Sequence, residues 1–550
     1  MRSTLLDRRI GLLFAVFLLL LGLATLRATW LGTVKADSLS ERAATQQVEE
    51  LKVPAGRGTI TDRKGVELAV SEEATTVFAN PMLIKNPSKV AAELAPLLGR
   101  DQSELLPLLS DKDKGFVYLR RKLDPTLGDK ISRLRIEGID TVSEPNRTYP
   151  QGALAGQLLG SVGLDGNGLA GIEQQFDQEL HGEDGQRKLV KDATGKVISL
   201  ADTKRQESGE DLKLTIDAAL QERVEAVLGQ VARDHRPKGA TALVMDPRNG
   251  ELLAMANYPR VNPNDLINSP KDGLQNRAVG SAFEPGSTFK AFTVAGALQD
   301  GKVTPETELD LPSQLQVADR TIGEAHDRGA VTLTTAQILA QSSNVGSVMI
   351  GQKLGPARFD HWVRKFGFGK PTGVSLPGEG GGIVPAPKDY SGSSMGNLPI
   401  GQGLAVTPLQ MAAGFSALAN GGVLHRPHVV AGQSDPGKRV VAPKTAAQVA
   451  RMLEGVLAAG GTAQEASIPG YKLAGKTGTA QKPDPENGGY SEFKFFSSFI
   501  GFAPAENPRL MVAVMVDEPT NGYYGGEVAA PAFEKIVSFA LPYMKIPPSG

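Results

Sequence analysis

Ser287 and Lys290 stand three residues apart in the run Phe283-Glu284-Pro285-Gly286-Ser287-Thr288-Phe289-Lys290. Pro285 and Gly286 break the chain, and the apolar run 290–298 predicts a helix ending near Gly301. Ser287 therefore falls at or near a helix N-terminus, with Lys290 on the same face and β-carbons roughly 5–6 Å apart. A serine with a lysine one turn away is a nucleophile beside its base. The bland alternative is a simple N-cap serine, and Ser-x-x-Lys arises about once or twice by composition in a chain of this length. Its weight depends on what else the sequence supplies.

Two further motifs supply it. Gln341-Ser342-Ser343-Asn344 follows a Leu-rich helical stretch, and Lys476-Thr477-Gly478-Thr479 precedes the last predicted hairpin. Ser-x-x-Lys, Ser-x-Asn and Lys-Thr-Gly, in that order, form the active-site set of penicillin-recognising serine acyltransferases. Each is common by itself; the ordered trio is specific.

These residues need a rigid frame. From about Asp217 a helix over 218–233 leads into a hairpin, 241–246 and 251–256, turning at Pro247-Arg248-Asn249-Gly250. A helical middle follows (333–339, 344–353, 408–419), then a second hairpin, 495–503 and 510–516, and a closing amphipathic helix over 531–543. Strands at both ends of a helical middle predict one antiparallel sheet packed by helices. Ahead of it, 37–52 reads as a helix or stalk, and Arg57 to Ala69 as strand, turn at Arg63-Lys64-Gly65, and strand. Residues 88–133 are rich in helical periodicity, 172–176 is helical, 189–198 is a hairpin turning at Ala193-Thr194-Gly195, and 212–216 is a strand. That section carries no chemistry of its own.

Composition narrows the classes. The 550 residues hold 59 basic and 60 acidic side chains, a net charge of −1, which argues against a nucleic-acid binder. The chain has no cysteine, which removes thiol nucleophiles, disulfides and cysteine-ligated metals. Arg2, Arg8 and Arg9 precede an uncharged, largely apolar run over 10–26, followed by Arg27 and a second apolar stretch over 28–34. The first run spans roughly 26 Å as a helix, and the second can extend it across a bilayer. Positive charge ahead of the span favours an N-terminus inside and the rest of the chain outside. Val34-Lys35-Ala36 loosely resembles a cleavage site, so a cleaved signal peptide is the rival to an anchor; the apolar run is long for one.

With the trio, four further runs carry a resemblance: Arg57-Gly58-Thr59-Ile60-Thr61-Asp62-Arg63, Asp517-Glu518-Pro519, Gly522-Tyr523-Tyr524-Gly525-Gly526 and Ala529-Ala530-Pro531-Ala532-Phe533. Residues 55–545 resemble a class B penicillin-binding protein, most closely the septal, FtsI-like type of peptidoglycan D,D-transpeptidase. The resemblance implies an α+β fold with a single transmembrane helix (10–34) after a cytoplasmic tail (1–9). An irregular pedestal of the dimerisation type (35–216) and a penicillin-binding/β-lactamase-like transpeptidase domain (217–550) would follow. It implies a substrate, the stem pentapeptide ending in D-Ala-D-Ala, and β-lactams as acylating mimics. Ser287 would attack the penultimate D-Ala carbonyl, Lys290 would take its proton, and Ser342 would relay a proton to the leaving D-Ala. Asn344 would bind the substrate amide, and Lys476, Thr477, Gly478 and Thr479 the terminal carboxylate. The N–H groups of Ser287 and Thr479 would form the oxyanion hole. For Lys290 to be neutral its pKa must fall from about 10.4, through burial and the cation of Lys476. No cofactor or metal is expected. The implied partners are a membrane glycan polymerase of the FtsW type and other division proteins. An elongation-type transpeptidase, or a D,D-carboxypeptidase or penicillin sensor of the same fold, remain alternatives.

Other motifs carry bland readings. Gly470 to Thr477 matches the phosphate-loop pattern but lacks the strand before and helix after. Gly392-Ser393-Ser394-Met395-Gly396 matches a nucleophile elbow but reads as a flexible loop. His425 and His428 read as a surface or interdomain pair without an acidic partner. Tyr523 and Tyr524 could touch substrate or form a turn packed on the sheet. Arg57 and Asp62 read as an interdomain ion pair.

Overall fold

The structure, a computed structural model, describes residues 3–36, 48–191, 197–484, 486 and 488–548. Its first element is the helix Ser3–Thr33, within which Ile10–Thr33 is long and apolar enough to cross a membrane. At 1.5 Å per residue that stretch reaches about 36 Å, against ~30 Å of hydrocarbon. Leu12, Leu13, Phe14, Phe17 and Leu26 point outward with no protein over them.

The chain forms two compact units that are not contiguous in sequence. The smaller comprises Met1–Gly56, Glu73–Pro145 and Gly182–Gly209. In it, Val90, Ala91, Leu94 and Leu98 recur at helical spacing along Pro87–Leu98, and they pack with Leu105, Leu109, Leu119 and Ile131. Asn86 caps that helix by accepting from the Lys89 N–H, and Gly99 ends it in the left-handed conformation. The strand Val117–Leu123, absent from the helix-rich reading of 88–133, pairs antiparallel with the far end of Glu67–Ala79. Val48–Val53, Gly185–Lys191 and Val197–Lys204 form a three-stranded antiparallel sheet. The end of the expected helix or stalk is thus a strand from Val48 onward. Residues 37–47 and the expected turn at 193–195 lie outside the described residues.

The larger unit comprises Arg57–Glu72, Asn146–His181 and Glu210–Gly550. Three segments of the expected pedestal, 57–72, 146–181 and 210–216, thus belong to the body that holds the catalytic motifs. Its sheet has five strands, β1 (Gly239–Met245), β2 (Leu252–Tyr258), β3 (Ala474–Pro483), β4 (Tyr490–Ala503) and β5 (Leu510–Asp517), in the order β2-β1-β5-β4-β3, antiparallel throughout. Strands β1, β2 and β5 read as near-continuous apolar runs because helices cover both faces.

The register decides which helix meets which face. Met245, Met511 and Phe502 lie in one cross-strand row, and the Ser416 hydroxyl reaches the Met245 sulfur at 3.1 Å, so the helix Pro408–Ala419 covers that face. Phe499 points the other way, onto Phe533 of the closing helix Ala530–Tyr543, at 4.7 Å between rings. Lys476 sits opposite Ile500, two residues from Phe502, and so shares the first face with Pro408–Ala419.

Strand β3 is the main departure from expectation. Its sequence, Ala-Gly-Lys-Thr-Gly-Thr-Ala-Gln-Lys-Pro, has little β propensity, and tertiary pairing with β4 makes it a strand. It also disposes of the phosphate-loop reading, since Gly475, Lys476 and Thr477 lie in extended chain rather than before a helix.

Candidate active site

Gly286–Phe289 forms one 3₁₀ turn that feeds directly into the helix Lys290–Gln299. Every residue of that helix from Lys290 to Leu298 is buried, so it is a core axis rather than a surface helix. Phe289 and Phe292 anchor it in a group of rings with Phe359, Phe366, Phe368 and Phe415. Ser287 is half-buried while Thr288, Phe289 and Lys290 are covered. Two glycines let β3 lie against this turn. Gly286 has φ +55°, and a Cβ there would meet Ala480 Cβ at 3.0 Å. A Cβ on Gly478 would stand 3.0 Å from Thr288 Cγ2 and 3.1 Å from the Pro285 carbonyl.

The second motif arrives on a corner between two helices. Thr335–Ala340 starts with a reciprocal capping box between Thr334 and Gln337, and Asn344–Leu354 starts with Ser343 as N-cap, accepting from Gly346 N–H. Between them Ser342 adopts φ +60°, the left-handed region that costs a non-glycine residue about 1–3 kcal/mol. That corner turns the Ser342 carbonyl and the Asn344 side chain toward Lys290. The Lys290 Nζ donates to Ser342 O at 2.6 Å and to Asn344 Oδ1 at 2.6 Å, and it lies 3.3 Å from Ser342 Oγ.

Lys476, on β3, is as buried as Lys290. Its Nζ donates to Thr477 O at 3.2 Å and lies 3.3 Å from Thr477 Oγ1. The Thr477 hydroxyl is 2.6 Å from that of Thr462, and Thr479 Oγ1 accepts from Gly525 N–H at 2.9 Å. Burial pushes the Lys290 ammonium down to about 7, against an opposing pull from the carboxylate of Glu324. Burial also drives Lys476 well below its ordinary value, and repulsion from Lys290 adds to it. The sequence reading assigned the shift on Lys290 to burial and the second cation; burial dominates, and the repulsion is felt at Lys476. The structure thus brings Lys290, Ser342 and Asn344 together, sets Lys476 within electrostatic reach, and turns the Thr477 and Thr479 hydroxyls onto protein partners.

Glu324, Arg328 and Thr462 were not singled out in the sequence. Glu324 receives Ser343 Oγ at 2.7 Å and Asn344 N–H at 2.6 Å, and Arg328 reaches Ser343 Oγ at 3.1 Å. Their contacts are long-range in the chain, and no local spacing marks them; the charged run Glu324 to Arg328 ahead of the Ser-x-Asn motif was the available signal.

Several bland readings need revision. Ser394–Asn397 is a short helix with Met395 packed on the core, not a flexible loop. His428 is buried and not a surface residue, and His425 has an acidic neighbour, Asp435, at 3.7 Å. No cluster of three or more metal-ligating side chains occurs among the described residues. Tyr523 stacks on Phe495 at 4.3 Å, as a turn packed on the sheet would, while Tyr524 lies 5.5 Å from the His326 ring. Arg57 and Asp62 do not pair with each other. Asp62 caps backbone, accepting from the N–H of Lys64, Val66 and Ala218 at 2.7, 2.8 and 3.0 Å. Arg57 bonds Glu173 and Asp177 within the same unit.

A nucleophile turn, a Ser-x-Asn corner and a Lys-Thr-Gly edge strand around two buried lysines define a penicillin-recognising serine acyltransferase. Residues 240–538 match the family described as penicillin-binding protein transpeptidase domain, and 52–214 the penicillin-binding protein dimerisation domain. The chain is 34% identical to the peptidoglycan D,D-transpeptidase FtsI of Escherichia coli, over 98% of this chain and 93% of that one. It is also 34% identical to the penicillin-binding protein PbpB of Mycolicibacterium smegmatis, over 96% and 89%. A crystal structure of penicillin-binding protein 3 of Mycobacterium tuberculosis complexed with ampicillin superposes with a TM-score of 0.72 at 31% identity, covering 91% of this chain and 97% of that one. The chain belongs to the class B penicillin-binding proteins of the FtsI-like type, and as such is a serine-type peptidoglycan D,D-transpeptidase.

Proposed function

We propose that this chain cross-links peptidoglycan stem peptides through an acyl-enzyme on Ser287, in septal wall synthesis, and that β-lactams acylate the same serine. The observation that carries the reading is Lys290: fully buried, poised near neutrality, and held against Ser342 and Asn344 one turn after Ser287. A neutral amine there accepts the Ser287 proton as Oγ attacks the penultimate D-Ala carbonyl. The tetrahedral intermediate then collapses, the peptide C–N bond breaks, and the departing D-Ala amine takes a proton passed from Lys290 through Ser342 Oγ, 3.3 Å away. An amine of a neighbouring stem peptide attacks the ester, forms the new amide and returns the proton to Ser287. Two N–H donors, on Ser287 and Thr479, stabilise the oxyanion by on the order of 3 kcal/mol each. Lys476, with Thr477, Gly478 and Thr479, receives the terminal carboxylate.

Residues 10–34 anchor the chain in the bacterial cytoplasmic membrane, with 1–9 inside, a pedestal over 35–216 and the transpeptidase domain over 217–550 outside. The exposed apolar helix supports the anchor. A membrane glycan polymerase of the FtsW type and other division proteins would supply and place the substrate. Exchanging the anchor for an unrelated span should weaken co-purification of that polymerase; undiminished recovery would remove the anchor from the contact.

Intact-mass measurement with a penicillin, beside Ser287→Ala, tests the chemistry. A stable adduct of one drug mass, absent from the variant, is expected; turnover without adduct would make the protein a hydrolase. Depletion in the source bacterium should leave cells that elongate and fail to divide, whereas rounded cells that still divide would move the role to elongation.

A further inference from the structure

Glu324 follows the strand Arg320–Gly323, and its side chain is 6% exposed. One carboxylate oxygen accepts from Ser343 Oγ at 2.7 Å and from the Arg328 guanidinium; the other accepts from Asn344 N–H at 2.6 Å. The Asn344 Nδ2 donates to the Gly323 carbonyl at 3.0 Å, so one strand end grips both the backbone and the side chain of Asn344. Its Oδ1 is left facing the Lys290 Nζ at 2.6 Å. Ser342, next to this grip, holds the left-handed conformation that a serine does not choose by itself. A strained corner persists where its surroundings over-determine it, and here they converge on a single carboxylate.

We propose that Glu324 is a positioning residue for acylation: its carboxylate locks the Ser342–Asn344 corner in the form that presents Ser342 O and Asn344 Oδ1 to Lys290, and it sets a negative charge beside that amine. The proposal rests on Ser287 and Lys290 being nucleophile and base. The charged groups that interact with Lys290 are Glu324 and Lys476, and Arg328 is paired with Glu324. Burial by itself would raise the Glu324 carboxyl, but bonds from Arg328, Ser343 and the Asn344 N–H hold it below the ordinary range, so the group is a carboxylate wherever the enzyme works. The plain alternative is a helix cap: a carboxylate at the N-terminus of Asn344–Leu354 that stabilises the helix and nothing more.

The two differ in a pH profile. The second-order rate of labelling by a fluorescent penicillin is measured on the full chain in detergent, from about pH 5 to 9, where the acid limb reports loss of the neutral base. Glu324→Gln should lower the plateau about tenfold or more and move the acid-limb midpoint to lower pH, because removing the carboxylate favours the neutral amine. Arg328→Gln leaves that carboxylate uncompensated and should move the midpoint to higher pH. Glu324→Asp should keep the midpoint near that of the unmodified chain while the plateau stays low. Midpoints unmoved in both Glu324→Gln and Arg328→Gln would overturn the proposal and leave a helix cap, whatever happens to the plateau or the melting temperature. Should Glu324→Gln fail to fold, the upward shift in the more exposed Arg328→Gln decides. An unmodified chain that takes no label would instead sink the assignment of Ser287.

Discussion

The larger unit buries two clusters of charge, and they are built on opposite principles. Around Arg57, two guanidiniums meet two carboxylates. Glu173 receives Arg57 Nε at 2.9 Å and Arg147 Nε at 2.6 Å, and Asp177 receives Arg57 Nη1 at 2.6 Å. The remaining donors of the two arginines find carbonyls at Gly166, Glu173 and Gly58, although Arg147 Nη2 is left unpartnered. Around Lys290, two fully buried lysines repel each other, and the one carboxylate that acts on Lys290, Glu324, is already engaged by Arg328. Matched charge stays charged and holds segments together. Unmatched charge surrenders its proton, and a lysine that does so at neutral pH is a base. The same desolvation that would be a defect in the first cluster is the working principle of the second.

The comparison breaks most visibly if the unmatched cluster is disarmed. Lys290→Gln keeps a polar head on a side chain one atom shorter but removes the base, and should slow penicillin acylation on the order of a thousandfold. Its melting temperature should hold or rise, because a buried group that resists charging has been replaced by a neutral one. A variant that melts much lower and still acylates at the usual rate would show Lys290 to be structural.

Disarming the matched cluster should do the reverse. Glu173→Gln leaves buried Arg147 without its carboxylate and Arg57 with Asp177 alone, and breaking a buried pair from one side costs about 3–5 kcal/mol. Thermal or denaturant unfolding should report that loss, while the acylation rate of the folded fraction changes little. Tyr149 is a local witness: burial, helped by the Glu173 charge, pushes its hydroxyl far above the ordinary tyrosine range. A full-strength acylation defect at unchanged stability would mean the two clusters are coupled rather than separate in kind.

A pH series sharpens the contrast without mutation. With the Lys290 ammonium at about 7, its neutral fraction falls as pH drops, so acylation should decline below neutrality toward a slope of about tenfold per pH unit. The midpoint should fall near the Lys290 value of about 7 in the free enzyme. Rates flat down to pH 5 would place the lysine's proton loss far lower and remove it as the limiting base.

This division of labour was only half legible in the sequence. Ser287 and Lys290 are linked by helical spacing, and Ser342, Asn344 and Lys476 by short motifs, so local pattern found the unmatched cluster's members. It also found the hairpin of β1 and β2 and the long helices, where apolar periodicity and turn residues agree. It missed β3, whose glycines, lysines and threonines carry no strand signal and become one by pairing with β4. It missed Glu324 and Thr462 because their partners come from other segments. It read Arg57 and Asp62 as an interdomain ion pair, whereas the partners of Arg57 are Glu173 and Asp177, which arrive from far along the chain. Counter-charge is a tertiary property. Sequence shows which groups can ionise, and only packing shows which are matched.

The weakest member of the matched cluster gives the finest test. Asp177 is 35% exposed and accepts from Gly168 N–H at 2.7 Å as well as from Arg57. Those bonds hold its carboxyl below the ordinary range against the burial that would raise it. Asp177→Asn keeps an acceptor for Gly168 and leaves Arg57 its bonds to Glu173 and Gly166, so a loss of about 1 kcal/mol or less is expected. The sign with pH follows from the lowered carboxyl: its contribution is present above the unfolded value and fades as pH falls through the folded one. The stability gap between the unmodified chain and Asp177→Asn, measured by urea unfolding, should therefore narrow on acidification below the ordinary carboxylate range. A gap as large as that of Glu173→Gln, or one unchanged on acidification, would mean that charge matching is not what makes this cluster structural.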